Sequence, residues 1–322
     1  MFTSSRRRSA GARTLTTSLA LAASVALAAA PLASAQSTVS PDGTLAVGSL
    51  GTPIPASGSL GSLAQPAYAD YVALGDSYAA FGDQSLLAEG PAAQACARSL
   101  TNYPNRLDMN PAVGALTDAT CGAAVTADIT RAQYQNVPAQ IDALGTTSDL
   151  VTLSIGGNDV GFGKIVQCIT KQGDYKTTPN CETAIGAGVA ADIAETFGAD
   201  GPIDDVYDAI EQKSPNAKVV TTQYMPLMPA EGGSCAFTQQ LNPADVAWAR
   251  EVGEAINDAV DSAAQRNGHI SVLPVDDVDR SACAAPEDRW TDFLGGLPTM
   301  AAPFHPTKLG QQAMADAIAA AL

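Results

Sequence analysis

The tightest constraint on this chain is a series of short, almost unbroken apolar runs. Asp70-Tyr71-Val72-Ala73-Leu74 ends at Gly75, and Asp149 to Ile155 (DLVTLSI) ends at Gly156-Gly157. Ala217 to Thr222 (AKVVTT) and His269 to Val275 (HISVLPV) are two more, with a weaker run over Val113–Thr120. A strand with one wet face alternates apolar and polar residues. Runs without that alternation belong to strands covered on both faces. Helical segments lie between them. Pro138 to Leu144 is short, and Ala184 to Lys213 is broken near Gly198–Pro202. Pro243 to Arg266 is the clearest: Trp248, Val252, Ala255, Ile256, Ala259 and Ala263 share one face, and Asn267-Gly268 stops it. A last helix spans Thr307 to Leu322, with Thr307 as N-cap. Strand and helix in alternation predict a parallel α/β sheet with helices on both faces. Functional loops then follow the carboxyl ends of the strands.

The first residues belong to a different class. Residues 1–35 have the form of an export signal: Arg6, Arg7, Arg8 and Arg13, an apolar run over 19–32, and Ala33-Ser34-Ala35 as a cleavage site before Gln36. An uncleaved membrane anchor is the alternative, and the arginine triplet would also suit a twin-arginine route. No Cys stands at the cleavage site, which argues against a lipoprotein anchor. Removal leaves 287 residues with 13 basic against 33 acidic side chains, a net charge of −20. That charge suits a soluble, monomeric protein outside the cytoplasm. It argues against nucleic acid and against anionic membranes. Residues 36–67 are rich in Gly, Ser, Pro, Ala and Thr and read as a flexible leader or an ordered edge. The folded unit is expected over 68–322.

Six cysteines, Cys96, Cys121, Cys168, Cys181, Cys235 and Cys283, all lie in the exported part. An even count there means disulfides, with 15 pairings open in principle. With two His and no C-x-x-C, the chain has no zinc pattern, and neither metal nor cofactor is expected. Asp276, Asp277 and Asp279 read as a solvated turn, with calcium a remote option.

Three loops carry residues that could do chemistry. Gly75-Asp76-Ser77-Tyr78 follows the first strand, Gly156-Gly157-Asn158-Asp159 follows the second, and Phe304-His305-Pro306 precedes the final helix. All fall on one edge of a parallel sheet. A serine hydroxyl is a weak nucleophile until an imidazole takes its proton, and the tetrahedral intermediate needs fixed N–H donors. The Asn158 amide and the Ser77 backbone N–H can supply donors, and a third can come from Gly122-Ala123-Ala124 after Cys121. Each motif alone is weak: Gly-Asp-Ser occurs by chance in roughly one chain in ten of this length, and Gly-Gly-Asn-Asp is also turn chemistry. His269 opens a strand without a companion motif and reads as structural or exposed.

In combination these blocks resemble the GDSL, or SGNH, hydrolase family over about residues 68–322, with Tyr78 where Leu is common. Cys121-Gly122-Ala123-Ala124 resembles the second block of its secreted actinobacterial lipases and esterases. The resemblance implies a three-layer α/β/α, flavodoxin-like fold, with Ser77 as nucleophile, His305 as base and an oxyanion hole of Ser77, Ala123 and Asn158. It also implies the sequential disulfides Cys96–Cys121, Cys168–Cys181 and Cys235–Cys283. Two positions depart from the family pattern. Ala123 stands where Gly is usual, unless a one-residue shift puts Gly122 there. Ala302 stands where the triad acid is usual. The expectation is a Ser77–His305 dyad oriented by the Ala302 carbonyl, with Asp292 or Asp288 as the rival.

The expected function is a serine esterase or lipase acting through an acyl-enzyme on an acyl lipid, a small ester or an acylated envelope glycan. A weak or inactive envelope binding protein on the same fold is the alternative, prompted by the missing acid. A metallophosphoesterase would need a ligand cluster that two His cannot supply. The G-x-S-x-G elbow of α/β-hydrolases is absent.

Overall fold

The computed structural model describes residues 65–322. The export signal over 1–35 and the leader up to residue 64 lie outside the described residues. Five strands form one parallel sheet: β1 (Tyr68–Gly75), β2 (Val113–Asp118), β3 (Leu150–Ser154), β4 (Lys218–Thr222) and β5 (Ile270–Val272). Their order is β2-β1-β3-β4-β5. A two-residue antiparallel pair, β6 (Thr291–Asp292) and β7 (His305–Pro306), stands apart. The helices are α1 (Ser77–Ala80), α2 (Pro91–Ala95), α3 (Tyr103–Leu107), α4 (Thr126–Thr130), α5 (Phe162–Ile169), α6 (Ala187–Phe197), α7 (Pro202–Lys213), α8 (Pro243–Arg266) and α9 (Lys308–Ala321).

The apolar runs explain the layers. Along β1, Val72 and Leu74 enter a core shared with α4 to α8, while Tyr71 and Ala73 enter a second core shared with α3 and α9. β3 divides in the same way, with Val151 and Leu153 on one face and Leu150 on the other. All these residues are fully buried, so neither face of the central strands is wet. Truncating Leu153 to Ala would cost about 2–5 kcal/mol. Thr307 caps α9, its Oγ1 accepting from Gly310 N at 3.1 Å.

Two elements differ from the sequence reading. β5 stops at Val272, short of the run to Val275, because Pro274 has no N–H for the ladder. Pro138–Leu144 holds only a 3₁₀ turn over Gln140–Ala143.

The strand order places the site. With β2 and β3 on opposite sides of β1, the connections leave β1 and β3 in opposite directions, and a crevice opens at their carboxyl ends. Gly75 pairs with Ser154 across that seam.

Candidate active site

Gly75 closes β1 at φ +144°, where a Cβ would lie 2.5 Å from the Ser154 carbonyl. Glycine is required by both conformation and closeness. The Gln140 amide clamps the same residue, accepting from its N–H at 2.6 Å and donating to its carbonyl at 2.9 Å. Asp76 then caps α1, its carboxylate accepting from Tyr78 N at 2.9 Å. Ser77 is thus held at the first position of a one-turn helix over the seam.

His305 arrives on β7. Its Nε2 lies 2.8 Å from Ser77 Oγ, and its Nδ1 lies 2.7 Å from the Pro303 carbonyl. A carbonyl can only accept, so Nδ1 carries the proton and Nε2 has a lone pair for the serine hydroxyl. This corrects the expectation for Ala302. The Ala302 carbonyl accepts the His305 backbone N–H at 3.2 Å. Phe304 sits at φ +63°, which turns the preceding peptide so that Pro303, not Ala302, faces the ring. Neither rival carboxylate reaches the imidazole. Asp292 is held by Thr299 Oγ1 at 2.6 Å, Leu294 N at 3.0 Å and Gly295 N at 3.2 Å, and it accepts from Arg289 at 3.3 Å. Asp288 pairs with Arg280 at 3.2 Å.

Three donors lie on the loops around Ser77. Among the described residues, the Ser77 and Ala123 N–H groups have no protein acceptor. The Gly122 N–H is taken by the Cys96 carbonyl at 3.0 Å, so the neighbouring free donor is that of Ala123, which adopts φ +64°. Asn158 donates one amide hydrogen to the Ala124 carbonyl at 2.9 Å, leaving the other available. Asp159 accepts from Thr126 N at 3.0 Å and Thr126 Oγ1 at 2.6 Å. These bonds tie the loop after β3 to the Ala123 loop. The Cys96–Cys121 disulfide (S–S 2.06 Å) anchors the Ala123 loop from the other side. The other two pairs are Cys168–Cys181 and Cys235–Cys283.

Three residues that matter here carried no motif. Tyr224, two residues past β4, donates to Asp76 Oδ2 at 2.7 Å and accepts from Gly157 N at 2.7 Å. One hydroxyl therefore couples the Ser77 loop to the Asn158 loop. Its place beyond a strand's carboxyl end was the available signal. Phe81 and Phe162 flank the imidazole, with ring centroids 4.8 and 5.9 Å from it.

Burial sets the protonation of both ends of the site. It pushes the Asp76 carboxyl up to about 7, against the lowering effect of its Tyr224, Tyr78 and Ser154 hydrogen bonds. It pushes His305 down to about 4, against the raising effect of the Pro303 carbonyl. The imidazole is neutral at pH 7, as a proton acceptor must be. Its folded value lies below the unfolded 6.5, so this group's contribution to stability is intact above 6.5 and is lost as pH falls through about 4. The acid limb of kcat/KM on an ester is expected near pH 4, not near 6.5. A limb at 6.5 in a pH–rate profile would contradict the desolvated imidazole.

A cavity of about 460 Å³ starts at Ser77, Asn158 and Phe162 and runs between α5, α8 and the segments after β4 and β5. That volume lies in the range of small-molecule sites. Its wall is largely apolar: Ile165 and Ile169 from α5, Val252 and Ile256 from α8, and Leu227 and Leu273 from the loops. His269 lies elsewhere, against Tyr207 at 4.8 Å. Asp276 pairs with Arg280 at 2.8 Å, and Asp279 accepts from Ser281 N at 2.8 Å. Among the described residues no three His, Cys, Asp or Glu side chains converge as metal ligands, and no helix is long and apolar enough to cross a membrane.

Comparison with known proteins gives a consistent result. The model of the GDSL-like Lipase/Acylhydrolase family matches residues 73–313. "Lipase 2" of Streptomyces coelicolor is 38% identical over 258 residues, covering 77% of this chain and 83% of that protein. An esterase of Streptomyces scabiei is 27% identical over 324 residues, 86% of this chain and 92% of that protein. Among solved structures, an extracellular lipase from Streptomyces rimosus is 28% identical with a TM-score of 0.61, covering 79% of this chain and all of that one.

Proposed function

The chain belongs to the GDSL-like Lipase/Acylhydrolase family, and on that premise we propose that it is a carboxylic ester hydrolase working through a Ser77–His305 dyad and an acyl-enzyme, outside the cytoplasm. The observation that carries this reading is the Ser77 Oγ–His305 Nε2 contact of 2.8 Å, with the ring held by Pro303.

The reaction follows from that geometry. Ser77 Oγ attacks the ester carbonyl while its proton passes to Nε2. The carbonyl oxygen becomes an oxyanion among the Ser77 N–H, the Ala123 N–H and the free Asn158 amide hydrogen. The carbon–oxygen bond to the alcohol breaks, and Nε2 returns the proton to that alcohol. Water then gives a proton to Nε2 and attacks the acyl-serine, and the Ser77 hydroxyl reforms as the acid leaves. Pro303 holds the tautomer as an acid would, but a carbonyl dipole stabilises the imidazolium less than a carboxylate. Three disulfides and the signal-like first 35 residues support an oxidising location.

Fluorophosphonate labelling of the purified protein tests this without knowledge of the substrate. A single adduct on Ser77, absent in His305→Ala, is the expected outcome in peptide mass spectrometry. A folded protein that takes no label would overturn the proposal in favour of a binding protein on the same fold.

A further inference from the structure

One residue in the cavity wall has no local reason to be what it is. Gly253 lies in the interior of α8, where glycine destabilises a helix relative to alanine because it orders a freer backbone. Its φ is not positive, and a Cβ built on it meets nothing within 4 Å. No turn, cap or close approach of another chain segment therefore requires glycine there. Two other helical glycines with the same open space, Gly163 in α5 and Gly188 in α6, are exposed and outside the cavity. Gly253 is half-buried and lines it, beside Ala249 one turn earlier and Ile256 one turn later. The open space beside Gly253 adjoins the cavity.

We infer that Gly253 is a specificity-determining residue, keeping open the stretch of cavity that receives a long unbranched acyl chain of the ester. The inference rests on the ester-hydrolase reading and goes past it by choosing among ester classes. The cavity that Gly253 lines takes hydrocarbon wall from Ile165 of α5, Val252 and Ile256 of α8 and Leu273 after β5. A flexible methylene chain fits such a slot and gains by leaving water. A short ester would leave it unfilled, and a hydroxyl-rich glycan would lose its hydrogen bonds there. Of the charged residues that border the cavity, Arg250 donates to the Pro229 carbonyl at 3.2 Å, Arg280 pairs with Asp276 at 2.8 Å, Asp279 accepts from Ser281 N at 2.8 Å and Asp76 accepts from Tyr224 at 2.7 Å, while Glu254 is exposed to solvent.

The test compares the parent protein with Gly253→Ala, Gly253→Leu and the exposed control Gly188→Leu on 4-nitrophenyl esters from butanoate to dodecanoate. Gly253→Leu is expected to lower kcat/KM for dodecanoate about tenfold or more relative to butanoate. Gly253→Ala should shift the ratio less, in the same direction. It should also raise Tm by about 2–4 °C, since a helix glycine has been removed. Gly188→Leu should leave the ratio unchanged. An unchanged ratio in Gly253→Leu, or an equal loss across the series, would overturn the inference. Calorimetric binding of dodecanoate to the Ser77→Ala protein separates the two claims. Failure of the parent to hydrolyse any ester would remove the hydrolase reading, yet dodecanoate binding that weakens about tenfold on adding Gly253→Leu would still support the acyl slot. No dodecanoate binding, or binding indifferent to Gly253→Leu, would overturn the slot.

Discussion

His305→Ala is expected to lower kcat on an ester by about 10⁴- to 10⁶-fold, with KM changed little. Without the imidazole, the Ser77 hydroxyl has no acceptor for its proton, and the described structure brings no other base to it. Ser77→Ala should cost a similar factor, and the double variant should be no worse than either, because the two groups act as one unit. The carboxylates near His305 should behave differently. Asp292 ties down the loop that delivers His305, through Thr299, Leu294 and Gly295. Asp292→Asn should therefore lower Tm while kcat stays within about tenfold of the parent. A loss of about 10⁴-fold from Asp292→Asn or Asp288→Asn at unchanged Tm would replace the dyad with a triad.

Asn158→Ala is expected to lower kcat by about 10²- to 10³-fold, the usual effect of deleting one donor to an oxyanion. The amide hydrogen not used by Ala124 serves charge that exists only after attack, so KM should move much less than kcat. Ala124 also loses a hydrogen bond in this variant, so loosening of the Ala123 loop is the competing cause. Loosening would raise KM and lower Tm together. Parallel kcat, KM and Tm measurements distinguish the two, and a loss below tenfold in kcat would remove Asn158 from the oxyanion site.

Much of this site was legible because its parts follow strands. The runs ending at Gly75 and Gly156 are apolar without alternation, as in strands covered on both faces, and the helices between them make the sheet parallel. Ser77 and Asn158 then share an edge whatever the details of packing. His305 joins them because its loop leads into α9 over the same edge. What could not be read was of another kind. The choice of Pro303 over Ala302 depends on a positive φ at Phe304. The choice of Ala123 over Gly122 depends on the Gly122 N–H being captured by Cys96. Neither a dihedral nor a hydrogen bond to a residue 26 positions away leaves a period in the sequence. Tyr224 stands 148 residues from the Asp76 it bonds, and it is an ordinary tyrosine until β4 is laid two strands from β1.

The sequence by itself determined the layers, the edge that carries the candidate site and the serine, amide and imidazole on it, because local hydrophobic pattern and short motifs depend on neighbours in the chain. Only the tertiary structure decided which carbonyl holds the histidine, which N–H groups remain free, how Tyr224 locks two loops and which helical glycine lines the cavity. Those outcomes come from residues far apart in the chain competing for the same few hydrogen bonds and the same space.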